Sequence, residues 1–283
     1  MRITTAVLLA LASISATSIP VAANATAACR TVSAKVAMTS SGPADQRVAG
    51  TLCLPCGHAA TVQLLIPGGF YGRAYWRMRG DQRRPSYVET MTAAGYATLA
   101  IDRLGTGASS YPPSVRFGQD THQIVIRQLI RQLREGRLGG GRFSKVVLVG
   151  HSLGSTIARI VAAAHPAEVD GVILTGESSV PNEATKTTDV FPPGDSYTPP
   201  SINKHIQDPV LIVNGDQDKL LAGARSSSAA LHAQETPFYS PRAQLETVVV
   251  SGTGHVLNGH RTAPHWFAQA REWADRRVGG AAR

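Results

Sequence analysis

The residues of this chain best suited to chemistry at a carbonyl lie in Gly150-His151-Ser152-Leu153-Gly154, directly after the apolar run Val146–Val149. A serine between two glycines, where a buried strand passes into a helix, is either an ordinary turn or a side chain held up at a tight corner. In the second case the glycines leave space where a Cβ would strike neighbouring elements, and the following helix aims its free amides at the serine. A serine hydroxyl is a weak nucleophile, so it needs a base within hydrogen-bond reach, itself oriented by an acid. Two later stretches offer those types. Val210–Val213 runs into Asn214-Gly215-Asp216-Gln217-Asp218, and Val248–Val250 runs into Ser251-Gly252-Thr253-Gly254-His255. Glu177 also follows an apolar run, Val172–Thr175. Polar residues in these positions are expected at the carboxyl edge of an open α/β sheet, where ligand and catalytic groups gather.

The elements that must position them can be read from short apolar runs alternating with helical patterns. Strands are expected over Thr31–Met38, Val48–Leu54, Thr61–Ile66, Tyr96–Ile101, Val146–Val149, Val169–Thr175, Pro209–Val213 and Leu245–Val250. Helices are expected over Ser86–Ala94, Thr121–Arg137 (closed by Gly139-Gly140-Gly141), Ser155–Ala164 and Pro264–Arg277, the last with Trp266, Phe267, Ala270 and Trp273 on one face. Strands apolar on both faces and separated by helices predict an α/β domain with a mostly parallel sheet covered on both sides. Glu177 to Gln207, rich in Pro, Thr and Ser, reads as a short lid or excursion across the carboxyl edge rather than a domain of its own.

The chain has 283 residues, 43% of them hydrophobic and 17% charged, enough for one sizeable core. Arg2, the apolar run Ala6–Ala12 and the small residues up to Ala27 have the make-up of a secretory signal peptide, cut after Ala25 or Ala27. That predicts a secreted protein of residues 28–283 without stable membrane insertion, since an anchor would need an apolar span of about 20 residues. The formal net charge is +9, but the arginines are scattered and carry no zinc-finger or RNA-binding signature, so no nucleic-acid partner is expected. No metal-ligand spacing and no phosphate-binding glycine loop occur, which predicts neither metal nor cofactor. Cys29, Cys53 and Cys56 are the only cysteines. Folding the first two strands about Pro43 sets Cys29 near Cys53 and Cys56, so one disulfide is expected from Cys29 to either, leaving one thiol over.

The order serine, acid, histidine is that of the α/β-hydrolase fold, and the chain resembles that superfamily, with its secreted esterase- and lipase-like serine hydrolases, over nearly all of residues 28–283. Leu65-Ile66-Pro67-Gly68-Gly69-Phe70-Tyr71 is similar to the family's His-Gly loop, with Pro67 in place of the histidine. Asp102-Arg103-Leu104-Gly105-Thr106-Gly107-Ala108-Ser109 resembles the segment after the next strand, and Gly254-His255 the histidine loop. The resemblance implies Ser152 as nucleophile, His255 as general base and then acid, and Asp218 as the acid that orients it, with Asp216 and Glu177 as rivals. It implies the Leu153 amide as one oxyanion donor and Gly69 or Phe70 as the second. Tyr71, Tyr75 and Trp76 either line the acyl pocket or pack the loop onto the core. His151 and the remaining histidines read as structural. The expected activity is hydrolysis of an ester-like bond in a small acyl substrate. Peptide, lactone or thioester cleavage, biosynthetic cyclisation, and a non-catalytic binding role on the same fold are the alternatives. Substrate identity and oligomeric state stay open.

Overall fold

The structure is a computed structural model that describes residues 27–113, 119–139, 141–180, 200–221, 223 and 226–279. The signal-peptide reading, apart from Ala27, and most of the polar excursion, residues 181–199, lie outside the described residues.

Eight strands form one sheet: β1 Ala28–Val36, β2 Gln46–Leu54, β3 Thr61–Ile66, β4 Ala97–Ile101, β5 Lys145–His151, β6 Gly171–Thr175, β7 Val210–Gly215 and β8 Glu246–Val250. Their order is β1-β2-β4-β3-β5-β6-β7-β8. The β1–β2 and β2–β4 pairs are antiparallel, and the rest are parallel. Strands β3, β4, β6 and β7 are buried along their whole length, as expected of mostly apolar strands covered by helices on both faces.

Alternation along the strands divides the interior into two cores. Val62, Leu64, Val146 and Leu148 face helices α2 (Gln119–Arg134) and α3 (Leu153–Ala164), packing with Leu129, Leu133 and Val161. Leu65, Val147 and Val149 face the other way, toward α1 (Tyr87–Ala93) and the last helix, α5 (Ala263–Arg277). There Trp266 and Phe267 pack against Tyr87, and Trp273 is buried as well. Helix α1 begins where Ser86 caps it: the hydroxyl accepts from the Glu89 amide, and the Glu89 carboxylate accepts from the Ser86 amide.

Three expectations change. Helix α2 ends at Arg134 instead of Arg137, because the chain turns at Gly136 (φ 74°) before reaching the glycine triplet. Helix α3 begins at Leu153, immediately behind Ser152, rather than at Ser155. A further helix, α4 (Ser228–Glu235), stands between β7 and β8 where only loop was expected. It buries just Leu231 and Glu235, too little for an apolar stripe to be visible, and its start is fixed by the Ser227 hydroxyl accepting from the Ala230 amide at 3.1 Å.

The β1–β2 register sets Cys29 opposite Cys53, and these two form the disulfide; Cys56 lies beyond the end of β2, exposed and outside the bridge. Among the described residues no helix is long and apolar enough to cross a membrane.

Candidate active site

Ser152 stands directly behind β5 with φ 52° and ψ −121°, the left-handed region that a residue with a Cβ seldom enters. Such a conformation costs about 1–3 kcal/mol and persists only when its surroundings enforce it. Here the Ser152 amide donates to the Thr175 carbonyl at 2.8 Å, and the Ser152 carbonyl accepts from the amides of Ser155 and Thr156 at 2.7 and 3.1 Å. The flanking glycines are dictated by close approach. A Cβ on Gly150 would lie 2.4 Å from the Gly154 carbonyl oxygen, and one on Gly154 would lie 2.1 Å from that of Ile66. The serine is therefore a strained corner and not an ordinary turn. As the first residue of α3, Leu153 has no carbonyl within its own helix for its amide to bond.

His255 follows β8 and Asp218 follows β7. The His255 Nδ1 lies 2.7 Å from Asp218 Oδ2, and Asp218 is fully buried. Its other oxygen accepts from the Leu220 amide at 3.0 Å. An ionised carboxylate only accepts, so the His255 proton sits on Nδ1 and Nε2 keeps its lone pair. The His255 ring lies 5.0 Å, centroid to centroid, from that of His151, the residue before Ser152. Imidazole and serine thus share one edge of the sheet.

The rival acids are engaged elsewhere. Asp216 accepts from the Ser251 hydroxyl at 3.0 Å and the Thr253 amide at 3.2 Å, tying the β7 turn to the histidine loop. Glu177 receives the Arg159 guanidinium at 2.8 Å and the Thr156 hydroxyl at 3.2 Å. Burial pushes its carboxyl above the usual range, against the opposing pull of Arg159.

His151 is fully buried and stacks on Tyr75 at 4.3 Å. The Thr175 hydroxyl donates to the Gly150 carbonyl, so its 3.1 Å contact with His151 Nδ1 has the imidazole as donor. Burial, with the neighbouring His255 adding to it, pushes the His151 imidazole down to about 3 and keeps it neutral beside His255.

The loop after β3 runs beside the serine: a Cβ on Gly68 would lie 3.3 Å from the Ser152 Cβ, and one on Gly69 3.9 Å from Leu153 Cδ2. Phe70 extends its ring into solvent, 90% exposed. Tyr75 and Trp76 lie in a short 3-10 turn, Arg73–Arg77, and are buried in the core behind the loop, which assigns them to packing instead of an open pocket wall. Their large apolar rings are drawn to the core formed by α1 and α5. Tyr71 keeps partial exposure. Among the described residues no cluster of His, Cys, Asp and Glu is arranged to hold a metal ion.

Two residues behind the loop went unassigned in the sequence. Asp102 accepts from the Arg73 amide at 2.7 Å, the Arg73 guanidinium at 2.8 Å and the Ala108 amide at 2.9 Å, joining the loops after β3 and β4. Arg103 donates to the carbonyls of Gly68 and Gly69. Their position just past a buried strand and the resemblance of the Asp102–Ser109 segment marked the place but gave neither residue a role.

Residues 64–199 match the family model described as alpha/beta hydrolase fold. Curated proteins give no significant match. Among solved structures, a thermophilic esterase from Thermogutta terrifontis is similar, with 17% identity over 87% of this chain and 98% of that one, at a TM-score of 0.61. A carboxylesterase from Bacillus subtilis shares 14% identity over 87% and 90%, at 0.59. A dienelactone hydrolase from Anabaena variabilis shares 19% over 91% and 100%, at 0.58. With the sheet order and the elbow described above, these matches show the α/β-hydrolase fold, an architecture that does not by itself fix a reaction.

Proposed function

We propose that this protein is an exported serine hydrolase that cleaves an ester-like bond in a small acyl substrate. The observation that carries the reading is a strained, elbow-mounted Ser152 at the same sheet edge as a His255 imidazole whose Nδ1 lies 2.7 Å from buried Asp218. Ser152 Oγ attacks the carbonyl carbon as His255 Nε2 takes its proton. The amides of Leu153 and of Gly69 or Phe70 receive the developing oxyanion. Collapse of the tetrahedral adduct expels the alcohol, which takes the proton from His255, and leaves an acyl group on Ser152. Water, deprotonated by His255, then attacks the acyl carbonyl, and the acid leaves as Ser152 regains its proton. Asp218 stabilises the imidazolium formed in each half of the cycle. No cofactor enters any of these steps.

Export, with residues 1–27 removed and 28–283 as the working unit, is favoured by the composition of the first residues. The Cys29–Cys53 disulfide, a bond that persists in oxidising compartments, supports it.

The reading is tested with p-nitrophenyl esters of rising acyl length, wild type against Ser152→Ala. Turnover by the wild-type chain and a loss of about 10³-fold or more in the folded variant are expected. Hydrolysis by Ser152→Ala at the wild-type rate would overturn it.

A further inference from the structure

Arg103 is a buried cation whose hydrogen bonds converge on one short piece of backbone. It is 7% exposed, and its Nη2 donates to the Gly68 carbonyl at 2.9 Å and the Gly69 carbonyl at 3.0 Å. In a trans peptide the C=O and the following N–H lie in one plane and point in opposite directions. The Gly68 carbonyl shares its peptide with the Gly69 amide, and the Gly69 carbonyl shares its peptide with the Phe70 amide. A guanidinium that grips both oxygens therefore aims both N–H groups away from itself. These are the two amides from which the second oxyanion donor is expected, in the loop that runs beside Ser152.

We propose that Arg103 is a positioning residue for the oxyanion hole: it fixes the direction of the Gly69 and Phe70 amides and polarises their peptides from the carbonyl side. The proposal rests on the serine-hydrolase reading above. Its electrostatic part follows from what surrounds the cation. No carboxylate forms an ion pair with Arg103 among the described residues, and the adjacent Asp102 is committed to Arg73 and Ala108. Nearby His122 adds no charge, since burial first and Arg103 second push its imidazole down to about 4. A positive charge with no ion-pair partner among the described residues, at a water-poor site, acts over a low effective dielectric, so it strengthens the two donors when an oxygen becomes negative. Glycine at both positions lacks any side chain that could otherwise hold the loop's direction, which leaves that task to the carbonyl contacts.

The test compares wild type, Arg103→Met and Arg103→Lys in ester turnover and in inhibition by phenylboronic acid, which forms a tetrahedral adduct with a reactive serine. Removing one oxyanion donor costs about 10²–10³-fold in kcat in a comparable hole. For Arg103→Met a kcat loss on the order of 10²-fold is expected, with KM within about threefold and boronate affinity falling in step with kcat. Arg103→Lys keeps the charge but loses the planar fork and should fall between the two. An Arg103→Met chain with wild-type kcat, or one whose KM rises in parallel while boronate affinity holds, overturns the proposal. If circular dichroism shows Arg103→Met unfolded, Arg103→Lys decides alone, and an unchanged kcat in it is the contrary result. A wild-type chain with no turnover and no boronate binding would instead overturn the hydrolase reading, and this proposal with it.

Discussion

Asp218 and Glu177 leave neighbouring strands, β7 and β6, at the same edge of the sheet, and both carboxylates are buried. Asp218 meets the His255 imidazole and the Leu220 backbone amide. Glu177 meets a guanidinium and a hydroxyl, while its backbone is clamped by the Asn214 side chain, with contacts of 3.1 and 2.8 Å. Arg159 reaches on from Glu177 to Asn203, and Asn203 donates to the Ser179 hydroxyl. Fully buried Glu235, at the end of α4, accepts from the Ser178 hydroxyl and the Ser179 amide. The second acid thus belongs to a polar lattice that fastens both described flanks of the excursion, 177–180 and 200–205, to the body of the protein. Burial is common to the two acids; the partner separates them. A carboxylate facing an imidazole can support a charge that comes and goes, whereas one facing a guanidinium neutralises a charge that is always present.

The largest effect should come from Asp218→Asn. The side chain keeps its shape but favours the wrong tautomer of His255, and kcat should fall by around 10⁴-fold, as in the analogous triad. Steady-state kinetics with the best ester of the panel measure this. Retention of most activity would break the comparison at its first term.

Glu177→Gln should divide its effect the other way. We expect kcat within about threefold of wild type, because no bond to His255 is lost. Stability should drop by on the order of 2 kcal/mol, since Arg159 loses the charged acceptor Glu177. Replacing both partners, Glu177→Leu with Arg159→Met, should recover much of that loss by removing the uncompensated charge. Urea titrations of the single and double variants measure both. A Glu177→Gln chain that is inactive at wild-type stability would transfer the orienting role to Glu177.

Much of this arrangement could be read from the chain before any coordinates. The buried strands announce themselves as apolar runs, and Gly150 and Gly154 mark the elbow because two close backbone approaches exclude any side chain there. Each polar residue set just past a strand was expected at the carboxyl edge, and Ser152, Asp218 and His255 do stand there. What stayed hidden depends on partners distant in sequence. The choice between Cys53 and Cys56 turns on the β1–β2 register, which sequence fixes only to within a few residues. The role of Glu177 depends on Arg159, a residue that helical periodicity treats as one more position of α3. Tyr75 and Trp76 could be placed in the pocket or the core until burial decided, and Arg103 acts on backbone carbonyls that have no signature in the sequence.

The central claim is that Ser152 is an activated nucleophile, and covalent labelling tests it most directly. The intact protein would be treated with a fluorophosphonate, digested with trypsin and mapped by mass spectrometry, with Asp218→Asn treated in parallel. One label per chain is predicted, carried by the peptide Val146–Arg159 and localised by fragmentation to Ser152, with labelling of Asp218→Asn far slower. Absence of label from a folded wild-type chain, or a label localised to another residue, would contradict the account.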